Sequence, residues 1–243
     1  MSGPTTSVVP GRSIHNVAHY AADGSRHIEI ESFDILTEQT PVPEDLAGCD
    51  VTGLWVLVAP ATLPQQEAIV NALRVKGALI ALDTELHYLT EDRSVDRLRE
   101  LASRVDCFLP SLEHLSFAEG TALDAGSPEL RRSVQSFGCP RTVVKCGSRG
   151  VVLFGPEDAA VTIPAVPDLV VADTTGAGDA FNGGFLVGLA RGESAREAAV
   201  TGCVAASFAV QAVGAAVPET FSTSERIRRH ASCSGPDSAT TER

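Results

Sequence analysis

The chain has 243 residues, enough to bury a full hydrophobic core in one large α/β domain, and its 44% hydrophobic share is ordinary for a globular protein. A formal net charge of −12 argues against nucleic acid or an anionic membrane as a partner. No apolar run approaches the ~20 residues of a membrane span, and the opening Met-Ser-Gly-Pro-Thr-Thr lacks the charged start and apolar core of a signal peptide.

Residues 13–32 predict a β-hairpin, with Asp23-Gly24 as the two-residue turn between Ile14–Tyr20 and His27–Ile30. His15 and His19 stand four apart, a metal spacing only on a helix, and the strand reading of this segment removes it. Residues 33–50 are polar and contain proline, as a connection would be. A βα rhythm then begins. Leu54–Val58 reads as a strand, Pro64 opens a helix to about Val75, and Ala78–Leu82 is a second strand ending at Asp83. A helix near Ser94–Arg104, a strand at Cys107–Leu109, and helices over 111–119 and 128–137 follow. Arg141–Lys145 is a strand, Gly147–Gly150 a turn, and Val151–Phe154 the return strand. A further strand is predicted at Asp168–Ala172, then long helices at Ala177–Arg191 and about Ala195–Val213. Ser222–Arg243 is polar and poor in large apolar residues, which predicts a frayed, flexible tail. Strands alternating with helices imply a mostly parallel sheet covered on both faces, with ligands bound beyond the carboxyl ends of the strands. The six cysteines (Cys49, Cys107, Cys139, Cys146, Cys203, Cys233) form no Cys-x-x-Cys pair and read as small core residues in a reducing cytoplasm.

The most informative stretch is Asp173-Thr-Thr-Gly-Ala-Gly-Asp-Ala-Phe181. Two glycines and a carboxylate sit where an apolar run gives way to a helix. The N–H groups of Ala177, Gly178 and Asp179 would open that helix and form an anion site, helped by roughly half a positive charge from the helix dipole. An acid inside a phosphate cradle suggests phosphoryl transfer to a hydroxyl, with Asp179 taking the hydroxyl proton. A dinucleotide-binding turn would need a third glycine where Phe181 stands, and no Gly-x-x-x-x-Gly-Lys-Ser/Thr run occurs. A plain glycine turn with Asp179 as a cap accounts for parts of the string but not the whole.

The string, followed by Asn182-Gly183-Gly184, resembles the C-terminal signature of the ribokinase-type (PfkB) carbohydrate kinase family. The resemblance implies a ribokinase-like three-layer α/β fold with a mostly parallel central sheet and a lid-like N-terminal β-hairpin. It divides the chain into a hairpin segment (1–50), a nucleotide-binding core (51–221) and a polar tail (222–243). It implies Asp179 as catalytic base and Gly176, Ala177 and Gly178 as the anion hole. Asp173 and Thr175 would lie at a monovalent cation site, K⁺ being the candidate. Val143–Gly150 resembles the family's nucleotide-side strand and turn, so Lys145, Gly147 and Gly150, with Thr174, would approach ATP. Cys203–Gly214 resembles the helix and closing glycine beside adenine, with Ser207 and Gly214 lining it, although ordinary tight helix packing explains the small residues equally well. ATP with Mg²⁺ is the implied donor, a sugar or small polyol the acceptor.

Three features depart from the family pattern. Relatives often carry Asn-x-x-Glu where this chain has Ser111-Leu-Glu-His114; on a helix Glu113 would point about 100° away from position 114. An Arg common after the strand ending at Asp83 is replaced in Thr84-Glu85-Leu86-His87. The Gly-Gly-x-x-x-Asn segment that holds sugar hydroxyls has no counterpart before position 183, so the resemblance covers roughly residues 13–220. The leading expectation is therefore an ATP-dependent carbohydrate kinase. The alternatives are a nucleotide-binding, catalytically impaired or truncated remnant, and a purely structural partner subunit whose dimer mate supplies what is missing; the expected self-assembly is a homodimer.

Overall fold

The computed structural model describes residues 16–20, 26–30, 33–85, 94–155, 160–214 and 222–234. Strand β1 (Asn16–Tyr20) pairs antiparallel with β2 (Arg26–Ile30), Asn16 opposite Ile30. The Asp23-Gly24 turn, with His15, lies outside the described residues. The segment read as a plain connection contains helix α1 (Phe33–Gln39) and a 3₁₀ turn over Pro43–Leu46.

The main sheet is built in chain order. It comprises β3 (Trp55–Val58), β4 (Leu79–Leu82), β5 (Cys107–Phe108), β6 (Thr142–Lys145), β7 (Val151–Phe154) and β8 (Val161–Ile163). Spatial order equals sequence order: β3 to β6 pair in parallel, and β7 and β8 complete the sheet antiparallel. Parallel neighbours need crossovers. These are α2 (Leu63–Val75), α3 (Ser94–Ala102), and the pair α4 (Leu112–Glu119) and α5 (Pro128–Ser136). The other face carries α6 (Ala177–Ala190) and α7 (Ala195–Ala209).

Strand periodicity sorts the core into two layers. Along β4, Ile80 and Leu82 face the layer of Val70, Leu73, Leu98 and Phe137, while Ala81 faces that of Phe181, Phe185, Ala198 and Val204. On β6, Val144 and Val143 divide in the same way. Helices, sheet and helices thus form three layers. Among the described residues no helix is long and apolar enough to cross a membrane.

Helices α6 and α7 touch almost backbone to backbone. A Cβ on Gly202 would stand 2.7 Å from Phe181 Cε2 and 2.9 Å from the Phe181 carbonyl oxygen; one on Gly184 would stand 2.8 Å from Ala205 Cβ. Gly202 is therefore required by packing, and Ala205 meets the same contact from α7.

Two expectations fail. Asp168–Ala172 is not a strand. Asp168 adopts φ 57°, Val170 and Val171 are 82% and 56% exposed, and the N–H groups of Ala172 and Asp173 donate to the carbonyl of Val210 at the end of α7. A left-handed residue at its start and a helix terminus as hydrogen-bond partner give this apolar run no place in the sheet, whose edge is taken by β8.

Nor is the chain after Ser222 a frayed tail throughout, because Thr223–Ser234 is helix α8. Sparse anchors suffice. Cys233 and Arg229 are buried, and the Arg229 guanidinium lies 3.8 Å from the Phe208 ring centroid while donating to Ser207 Oγ, Gln211 Oε1 and Glu225 Oε1. Residues 235–243 lie outside the described residues.

Two outcomes are expected. Gly202→Ala should lower stability by about 1–3 kcal/mol, because its Cβ meets backbone that cannot yield cheaply. Gly183→Ala, with nothing within 4 Å of its added Cβ, should not, and calorimetric midpoints read the difference. Hydrogen bonds from Arg228 and Arg229 hold the Glu225 carboxyl down from an ordinary 4.5 to about 2. A depressed carboxylate stabilises the fold above its unfolded value, and that contribution fades as pH falls from about 4.5 towards 2. Thermal midpoints of Glu225→Gln should therefore lie below those of the native chain at pH 6 and converge with them near pH 2.

Candidate active site

The carboxyl edge of the parallel strands gathers the chemistry-bearing residues. Asp83 follows β4, Ser111 follows β5, and Lys145 ends β6. Ser111 also forms an isolated parallel bridge with Lys145. The amino terminus of α6 meets them there. Gly176 takes φ 77° ahead of the helix, a conformation open to glycine at no steric cost, and having no side chain it supplies no cap of its own to the first turn. The first N–H groups of a helix lack acceptors within it, so this turn presents donors and the positive end of the dipole together. Asp179 lies in that first turn with its residue exposed.

The loop entering the turn is braced by Asp173. Its carboxylate accepts from the Thr175 N–H (2.9 Å) and the Gly214 N–H (3.1 Å), and these bonds, the Thr175 one first, hold its carboxyl below the usual range. Asp173 thereby ties the chain beyond α7 to the turn that opens α6. The Thr174 carbonyl accepts from the Ala177 N–H at 3.2 Å, so that amide, expected among the anion-site donors, is engaged within the turn itself.

Beneath the turn lies a buried polar triangle. Asp83 Oδ2 accepts from Lys145 Nζ and from Asn182 Nδ2, each at 2.6 Å, and Lys145 Nζ is 3.4 Å from Asn182 Oδ1. Asp83 Oδ1 accepts from the Thr84 N–H at 2.8 Å. Sequence reading placed Lys145 at a strand end near phosphate but did not find this pairing, because the partners lie 62 and 99 residues apart in sequence.

The remaining expected residues divide by environment. Gly147 has φ 60° and open space around an added Cβ, whereas a Cβ on Gly150 would overlap the Ile163 carbonyl, so Gly150 is required by the β7–β8 crossing. Ser207 is buried and its hydroxyl is engaged internally: it donates to the Val204 carbonyl (2.6 Å) and accepts from Arg229 Nη1 (3.0 Å).

At the Ser111 departure the two residues cap α4 reciprocally. The His114 N–H donates to Ser111 Oγ, and His114 Nδ1 accepts from the Ser111 N–H. His114 Nε2 lies 3.8 Å from Glu85 Oε1, so the loop after β4 brings a carboxylate to the place where position 114 has none. The signal in the sequence is an acid three residues past a strand's carboxyl end. Among the described residues no group of three or more His, Cys, Asp or Glu side chains is arranged to hold a metal by itself. A depression of about 460 Å³ between Ala47–Thr52 and Val75–Lys76 lies at the opposite, amino edge of the sheet, away from these groups.

Residues 67–221 match the family described as pfkB family carbohydrate kinase. The chain belongs to this family. Within the PfkB family it is 30% identical over 193 residues to a cytidine kinase of Thermococcus kodakarensis, covering 78% of this chain and 66% of that protein. It is 39% identical over 189 residues to a 2-dehydro-3-deoxygluconokinase of Escherichia coli, covering 74% and 60%. Among solved structures, aminoimidazole riboside kinase from Salmonella enterica, complexed with aminoimidazole riboside and an ATP analog, superposes with TM-score 0.62 at 22% identity over 78% of this chain and 66% of that one. Fructokinase from Vibrio cholerae gives 0.67 at 18% over 92% and 75%. These likenesses confirm the ribokinase-type fold. The chain spans less than two thirds of the length of the first curated relatives it matches.

Proposed function

We propose that this protein transfers the terminal phosphoryl group of ATP to a hydroxyl of a sugar, a nucleoside or a similar small polyol. The observation that carries the reading is the Gly176–Asp179 turn. A left-handed glycine opens a helix whose first turn offers N–H donors, an exposed carboxylate and, beneath it, an ammonium group. Asp179 takes the proton of the acceptor hydroxyl, whose oxygen attacks the terminal phosphorus, and the bond to ADP breaks. The amides of the turn hold the equatorial oxygens of the moving group. Gly147, Thr174 and the backbone near Gly214 line the nucleotide side, with the buried Ser207 acting through the position of α7.

Mg²⁺ fits this edge, because it usually needs only one or two protein carboxylates beside the phosphates, and Glu85 stands here while Asp179 is left for the acceptor proton. Bound there, it would neutralise charge on the phosphate oxygens. Asp173 and Thr175 are the proposed K⁺ site: each Asp173 oxygen accepts one backbone N–H and retains lone pairs for a cation. The kinase names of the relatives support turnover over a nucleotide-binding remnant. The six free thiols support a reducing, cytoplasmic setting. A homodimer, in which a second copy completes the acceptor side, belongs to the same reading and is measured by light scattering.

The test is the full chain with MgATP over a panel of sugars and nucleosides. Asp179→Asn should lower turnover about 10²–10⁴-fold while nucleotide binding is kept. Undiminished turnover in that variant would sink the reading.

A further inference from the structure

We propose, resting on the kinase reading above, that Asp83 is a positioning residue for the transferred phosphate: with Asn182 it holds the Lys145 ammonium against the first turn of α6.

The triangle joins three separate elements, since Asp83 follows β4, Lys145 ends β6 and Asn182 lies on α6. Asp83 is 4% exposed and Asn182 fully buried. Burying a carboxylate and an ammonium costs several kcal/mol per ion after relaxation, and such pairs seldom stabilise a fold more than apolar side chains of the same volume. Stability alone is therefore a weak reason for this pair, and its location supplies a better one. Gly178 lies one turn before Asn182 on the same face of α6, and a Cβ placed on it would stand 3.5 Å from Lys145 Nζ. The ammonium thus touches the segment whose N–H groups form the anion cradle. An ammonium has three donors. Asp83 and Asn182 engage two of them, and the third remains for a phosphate oxygen.

Charge and position predict opposite signs. If Asp83 contributed only its negative charge beside an anion site, its removal would tighten phosphate binding. If it fixes the direction of the third N–H, its removal weakens phosphate binding even though the site becomes more positive. Glycine at 178 suits the second arrangement, because it lets the ammonium approach the helix backbone closely.

The experiment titrates the full chain with MgATP and with MgADP by calorimetry, for the native protein and Asp83→Asn, with thermal melts in parallel. Asp83→Asn should weaken MgATP about tenfold or more, the scale of one charge-assisted hydrogen bond, while MgADP changes less than about twofold. Unchanged or tighter MgATP binding overturns the proposal. So does a parallel loss for both nucleotides with a lowered melting midpoint, which assigns the triangle to folding alone. If Asp83→Asn does not fold, Lys145→Arg keeps both charges but replaces the compact head with a planar one. It should show the same selective loss of MgATP, and equal retention of both nucleotides overturns the proposal. A native chain that binds neither nucleotide would instead fail the kinase reading, and this proposal with it. Native binding with no selective effect fails the proposal alone.

Discussion

The absence of side chains on one face of α6 is the constraint on which the site depends. At Gly184 and Gly188, and opposite them at Gly202 of α7, an added Cβ would stand within 3 Å of the facing helix. The two helices consequently approach closely enough to behave as one rigid slab. Phe181 and Phe185, stacked with ring centroids 5.9 Å apart, send α6's apolar face into the sheet layer. A helix fixed on two sides has one orientation left, and that orientation points its amino terminus at the carboxyl edge of β4 and β6. The polar triangle then fixes its height above that edge. The placement of Asp179 thus follows from contacts made within about two and a half turns further along the helix.

Local chemistry was legible in the sequence, and pairings across the fold were not. The turn at Gly176 announces itself through nine contiguous residues. The βα rhythm follows from apolar periodicity that each element carries alone, and strands β3 to β7 lie within a few residues of where that pattern puts them. The run Leu169–Ala172 has strand composition, yet strand composition specifies a half-buried pleated surface only where a neighbouring strand exists. Helix α8 was hidden for the opposite reason. Its sequence is polar nearly throughout, and it is held by one buried arginine stacked on Phe208 and one buried cysteine. Neither anchor has a periodic signature.

The site shows the same division. Lys145 was found because it ends a strand before a glycine turn, while its partner Asp83 sits in another βα unit with nothing local to link them. Gly147 and Gly150 look alike in sequence and differ in space, one facing open room and the other the Ile163 carbonyl. The Ser111/His114 departure has a comparable resolution. His114 loses a carboxylate relative to the pattern but caps α4 with its ring nitrogen and faces Glu85 from the adjoining loop. The edge thus keeps a carboxylate on an adjoining loop, which a comparison of position 114 alone registers as a loss.

The net charge of an acidic chain does not exclude an anion at one of its edges, because the field that matters there is local. At physiological ionic strength exposed charges beyond about 8 Å are largely screened, so the net charge of −12 is felt weakly at any one point. Within that radius the turn presents helix N–H groups, which no counter-ion can titrate away, and an ammonium whose neutralising carboxylate is set behind it. The one exposed carboxylate in the first turn, Asp179, is itself favoured there by the dipole. On the proposed kinase reading, that arrangement meets two demands that conflict elsewhere on this surface: an acidic side chain and an incoming phosphate must share one turn. On that reading a helix terminus serves both, because its positive end attracts a phosphate and an acidic side chain alike.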